Sequence, residues 1–165
     1  VAAWKLKDGG MGDGYNFQQL KAAILALSRA TDWEVAKKEW RLVEISEADE
    51  PETCLCGHFP IIELCTISNV TTGKSVDVGN VCVKRFLGFR SDLIFQSLKR
   101  VRADLDKAIG PDATAFFHER GVINDWEYQF QQSTMKKRNL SERQMATRRT
   151  INQKVLAAVR RRGLS

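Results

Sequence analysis

Three of the chain's four cysteines fall within twelve residues, CLCGHFPIIELC from Cys54 to Cys65, and the fourth is Cys82. Side chains of this kind, gathered so closely, must be bonded, liganded or buried, and each option demands a different fold around them. The flanking residues narrow the choice. Ile61 to Ser68 and Lys74 to Val78 favour strand, and Asn69 and Gly73 form the turn between them. Gly79 and Asn80 turn the chain again, and a short helix through Cys82 and Phe86 ends near Gly88. Two strands alone are marginal in water, so this hairpin needs a staple.

Zinc is the staple that fits. It prefers a tetrahedral set of thiolates and imidazoles, and closed four-ligand sites are structural. A Cys-x-Cys pair, a strand cysteine and a cysteine at a helix start can surround one ion. The helix N-terminus also favours the thiolate form of Cys82. Two ligand sets satisfy the spacing. The preferred one is Cys54, Cys56, Cys65 and Cys82; if Cys65 points into the core, His58 takes its place. Disulfides would need an oxidising compartment, and the N-terminal residues lack the long apolar centre of a secretory signal. The expected location is cytoplasmic. A catalytic thiol would need a poised histidine, and neither His58 nor His118 sits in a nucleophile or metalloprotease motif. The reading therefore leans away from an enzyme.

The segment from Cys54 to Gly88 resembles the C-x-C-G zinc-finger proteins of bacteriophages, prophages and bacterial mobile elements. The matching residues are Cys54, Cys56, Gly57, Cys65, Asn69, Thr72, Gly73, Val78, Gly79, Asn80, Cys82, Val83, Lys84, Arg85 and Phe86. Ala36 to Trp40 and Leu140 to Gln144 are similar to flanking helices of some relatives. The resemblance implies metal binding and makes nucleic acid an expected partner, as a fold-level analogy.

The rest of the chain reads as helix. Asn16 is expected to cap a helix carrying Phe17, Leu20, Ile24 and Leu27. Asp32 caps a second, with Trp33, Ala36, Trp40 and Val43 on one face, and the acidic SEADEPE stretch follows as a loop. Ser91 caps a helix with the stripe Ile94, Leu98, Val101, Leu105 and Ile109, stopped by Gly110-Pro111. Asp112 starts a short helix ending at Gly121, and Asn124 caps another, with Trp126 and Phe130 four apart. Ser141 with Gln144 is a capping box opening a last helix to about Arg162. The expected fold is α+β and mostly helical: a small zinc-bound, treble-clef-like hairpin among about six helices. Residues 1–15 read as a flexible arm. Residues 16–165 read as one domain, made of a helical pair (16–46), the zinc-finger segment (53–90), helices (91–138) and a basic C-terminal helix (140–163).

Charge is unevenly spread. Ten Lys or Arg and one acid lie between Lys136 and Ser165, within a chain of net charge +6. Wound as a helix at ~100° per residue, Arg143, Lys154 and Arg161 share a face with Arg149 and Arg160 beside them. Met145, Ile151, Val155, Leu156, Ala158 and Val159 oppose them; Arg148 and Arg162 break the division. Such a stripe, extended by Lys136, Lys137 and Arg138, can engage successive phosphates. Lys84 and Arg85 add a second basic group beside the finger. The functional expectation is a zinc-stabilised nucleic-acid-binding protein, DNA more than RNA. The alternative is an interaction module acting on a host or defence protein through the finger or the acidic Glu47, Asp49, Glu50 and Glu52. A nuclease-like enzyme stands third. Membrane association is not expected, because the basic helix has no aromatic anchor.

Overall fold

The computed structural model describes residues 14–162, with side chains through Val159. Its elements are α1 (Tyr15–Ala26), α2 (Trp33–Ala36) running into a 3-10 turn (Lys37–Glu39), β1 (Trp40–Glu52), β2 (Ile61–Asn69), β3 (Ser75–Val78) and α3 (Asn80–Leu87). Then follow α4 (Ser91–Ala103), α5 (Pro111–Glu119), α6 (Asp125–Thr134), α7 (Glu142–Ala158) and β4 (Arg160–Arg162). The fold is α+β, as expected. One domain is expected over 16–165; the contacts of the described residues cluster into two compact units, residues 14–89 with 161–162 and residues 90–160. The expected arm, 1–15, lies outside the described residues except for Gly14, the N-cap of α1, and Tyr15.

The first unit holds one sheet in the order β3-β2-β1-β4. β1 and β2 pair antiparallel from Trp40 opposite Asn69 to Glu52 opposite Ile61, and Cys65 stands between Ile45 on β1 and Val78 on β3. Here the expectation of a helix across Trp40 and Val43, followed by an acidic loop, is corrected. Only Trp33–Ala36 and one 3-10 turn are helical; Trp40 already begins β1, and SEADEPE lies in it. The pairing register shifts between Leu42 and Glu44 and again between Glu47 and Glu52. Each irregularity breaks the period-2 alternation by which a strand is read. Buried positions consequently run Trp40, Ile45, Ser46, Ala48 and resemble neither period.

The core of this unit is built on Leu20 and Ile24 of α1, Trp40, Leu64, Ile67, Val78, Val83 and Phe86. Trp33 links the helices to it, edge-on to Phe17 at 5.9 Å and stacked on Phe86 at 5.4 Å. Glu39 ties three segments together. Its carboxylate accepts from Arg29 N (2.9 Å) and Ala30 N (2.8 Å) after α1, and from Asn69 Nδ2 (2.7 Å) at the end of β2. Asn69 in turn accepts from Thr71 N and Thr72 N, which folds the β2–β3 turn. The Asn69 bond, followed by those from the Arg29 and Ala30 backbones, holds the Glu39 carboxyl below its ordinary value. A depressed folded pKa contributes stability above the unfolded pKa and loses it as pH falls through the folded one. The first unit should therefore weaken below about pH 4.5. Glu39→Gln should flatten that part of the profile, read by thermal melts between pH 3 and 6.

The second unit is helical. Ser97, Leu98, Val101, Ile109, Phe117, Ile123, Ile151 and Val155 are buried in it. Asn124 and Ser141 both make full capping boxes, with Glu127 and Gln144. α5 starts at Pro111, one residue before the expected Asp112, because Gly110 is its N-cap. Two further boundaries are corrected. Ser91 is buried as the first residue of α4 instead of capping it. The expected stripe through Leu105 and Ile109 leaves the helix at Asp104, whose φ of −151° is extended. The loop after it is held by α7. Arg148 Nη1 donates to Asp106 O (3.1 Å), and Asn152 Nδ2 donates to Leu105 O (2.9 Å) and Lys107 O (2.7 Å). Arg148 Nη2 also reaches Thr134 O at 2.8 Å.

Candidate metal centre

Cys54 and Cys56 sit in a tight turn before β2. Cys54 N bonds His58 O and Gly57 N bonds Cys54 O, both at 2.8 Å. Gly57 occupies φ +91°, a conformation side chains rarely adopt. This turn leaves backbone amides free to face sulfur: His58 N donates to Cys56 Sγ at 3.4 Å. Cys82 lies in the first turn of α3, and Gly79 N, at the cap of that helix, donates to Cys54 Sγ at 3.3 Å. The three thiols are buried, free of disulfide, and mutually within 4.8 Å.

Cys54 Sγ and Cys82 Sγ are 3.6 Å apart. A disulfide needs ~2.0 Å, whereas two thiolates sharing a tetrahedral zinc at ~2.3 Å stand ~3.8 Å apart. The electrostatics agree with a cation site. The hydrogen bond from Cys82 brings the Cys54 thiol down to about 5 against the opposing effect of burial, aided by the Cys56 and Gly79 amides. Cys82 is pushed far up by that same bond, by burial and by negative charge on Cys54 and Cys56. Cys54 gives up its proton readily and Cys82 only at great cost, so a divalent cation placed among the sulfurs would relieve the repulsion. Three cysteines could thus hold a metal ion.

Cys65 is not among the three. It is fully buried on β2, with its Sγ 3.9 Å from Asn80 Oδ1, at the start of the helix that carries Cys82. The His58 residue is exposed and does not join the cluster either. One contributor was misread from sequence. Asn16 does not cap α1; its Nδ2 donates to Cys56 O (3.1 Å) and lies 3.7 Å from Cys56 Sγ. Forty residues separate the partners, and no local pattern announces such a bond.

The basic stripe is rearranged. α7 ends at Ala158, and Arg160 and Arg161 lie in β4, so they cannot continue a helical face with Arg143 and Lys154. The helix stops because Val159 adopts extended angles, φ −89° and ψ 111°. Arg149 is paired with Asp106, and Lys154 Nζ with Glu127 Oε1 at 2.8 Å. Lys136, Lys137, Arg138 and Arg143 are exposed, as are Lys84 and Arg85 on α3, the latter 5.9 Å from the Phe17 ring centre. Among the described residues no helix is long and apolar enough to cross a membrane. No family model, curated protein or solved structure matches the chain.

Proposed function

We propose that the protein binds nucleic acid, DNA in particular, through its helical unit, while a structural zinc staples the first unit. Cys54, Cys56 and Cys82 supply three zinc ligands in this reading. Cys65 supplies the fourth, being a buried thiol already at the N-terminus of α3, whereas the His58 ring faces solvent. Bound there, zinc would cross-link the turn before β2 to α3. The C-x-C-G proteins of phages and mobile elements that the finger resembles are the setting this reading suggests.

The observation that carries the nucleic-acid reading is the partition of charge between the units. Residues 90–160 hold 14 Lys or Arg against 8 Asp or Glu, a net +6. The remaining residues hold 12 of each and are neutral. With Arg148 buried and Arg149 and Lys154 ion-paired, phosphate contact falls to Lys136, Lys137, Arg138 and Arg143 around the α6–α7 connection. Such contacts fix affinity without reading sequence.

Fluorescence anisotropy with a labelled duplex across a salt series tests this. Four phosphate contacts predict a log–log slope of roughly −3 to −4. Replacing Lys136, Lys137 and Arg138 together by Ala should flatten the slope by about three on every sequence alike. Absence of binding at low salt would sink the reading. The remaining candidate would then be a protein partner at the first unit, where Phe59, Ile62 and Val81 are exposed.

A further inference from the structure

α6 presents an aromatic pair to solvent. Trp126 is 63% exposed although it is the helix's largest side chain, and it stacks on Phe130 with ring centres 5.6 Å apart and planes 20° from parallel. Phe130 is half-buried, so the outer ring rests on an anchored one. At ~100° per residue, Trp126, Phe130 and Ser133 fall within a narrow flank of α6. The buried face of Glu127, Gln131 and Thr134 lies about a quarter-turn away. Past the helix end, Met135 keeps helical angles and Lys137 N still bonds back to Thr134 O at 3.1 Å. The chain thus makes one tighter turn past the helix end, and the exposed Lys136, Lys137 and Arg138 follow directly after the helix that carries the aromatic pair. The exposed neighbours are polar: Gln129, Gln132, Ser133, Lys136 and Arg138, with one acid, Asp125, whose carboxylate is turned to the His118 ring at 2.7 Å.

An exposed π-face on a helix that leads into three exposed cations, on a unit carrying all of the chain's net positive charge, matches one ligand chemistry: an unpaired nucleobase on the ring with its backbone phosphates on the lysines. We infer that Trp126 is a base-stacking platform and that the protein prefers single-stranded DNA over duplex. This inference rests on the nucleic-acid reading and narrows it. Bases in a duplex are already stacked on one another, whereas every unpaired base offers a π-face. The basic residues set the affinity both forms share, and Trp126 sets the difference between them.

Anisotropy with a labelled oligo-dT strand and a duplex of equal length, at fixed salt, separates the two ideas. Trp126→Ala should weaken oligo-dT binding by about 10- to 100-fold and leave duplex binding unchanged. Trp126→Phe should restore most of the loss, and a melting curve for each variant should match the parent. Wild-type protein that binds both probes while Trp126→Ala binds oligo-dT equally well overturns the platform and leaves the phosphate reading standing. Wild-type protein that binds neither probe overturns both. A wild-type dimer that Trp126→Ala renders monomeric in sedimentation velocity, with oligo-dT binding unchanged, overturns the platform in favour of a self-association face.

Discussion

Cys82→Ser should abolish metal binding and unfold the first unit. The parent protein should carry about one zinc per chain by elemental analysis, and the variant none. The expected effect is large because the ligands are brought together only by folding, so binding free energy is folding free energy; structural zinc contributes on the order of 10 kcal/mol in small fingers. A chelator should reproduce the variant's unfolding in the parent. The companion substitutions identify the fourth ligand. Cys65→Ala should lose the zinc, and His58→Ala should retain it. If Cys65→Ala keeps a full complement of metal and His58→Ala does not, the site is Cys3His, and Cys65 is packing alone. A parent that folds equally well without metal would remove the structural role altogether.

The second large effect is expected at Arg148. Its guanidinium is buried, and burial pushes its pKa down, opposed by the neighbouring Asp106 charge. It nevertheless donates to two carbonyls, Asp106 O and Thr134 O. Arg148→Ala deletes both charge-assisted bonds, strips the carbonyls of a donor and opens a cavity under a long side chain. The cost should be about 3–5 kcal/mol. In urea the helical transition should move down by roughly 1–3 M. Arg143→Ala, at an exposed position on the same helix, should shift it by less than about 0.5 kcal/mol. Equal effects at the two positions would refute the clamp.

Arg143 and Arg148 also show why the sequence was legible in some places and opaque in others. Caps are local chemistry: Asp32, Asn124 and Ser141 bond amides three residues on, and all three were readable. The β2–β3 hairpin was readable because Asn69 and Gly73 shape the turn themselves. The cysteine spacing disclosed a metal-sized cluster but not which thiols meet, because Cys65 is placed by strand register. The α7 stripe is rearranged because Arg160 and Arg161 lie in β4 and because Arg149 and Lys154 meet acids distant in sequence. Arg148 and Asn152 are polar residues on the buried face, and each donates to a carbonyl more than 40 residues away. Helical phase sets Arg148 among the apolar residues, but it does not show which distant carbonyls receive it. β1 was lost because two register shifts scramble its alternation, and β4 because three arginines read as a helix end.

The sheet order has a consequence for biosynthesis. The turn with Cys54 and Cys56, the β1–β2–β3 meander and the Cys82 helix are complete once residue 87 has been made, so metal can be captured early. The strand that lies beside β1 comes only with residues 160–162, after the 71 residues of the helical unit. During that interval β1, thirteen residues long, has one side open to whatever extended chain is nearby. The acidic run Glu47, Asp49, Glu50 and Glu52 lies along this strand, and like charges on two such edges repel. Residues that read as a loop in the sequence thus set like charges along a strand that a second nascent copy would otherwise be able to pair with.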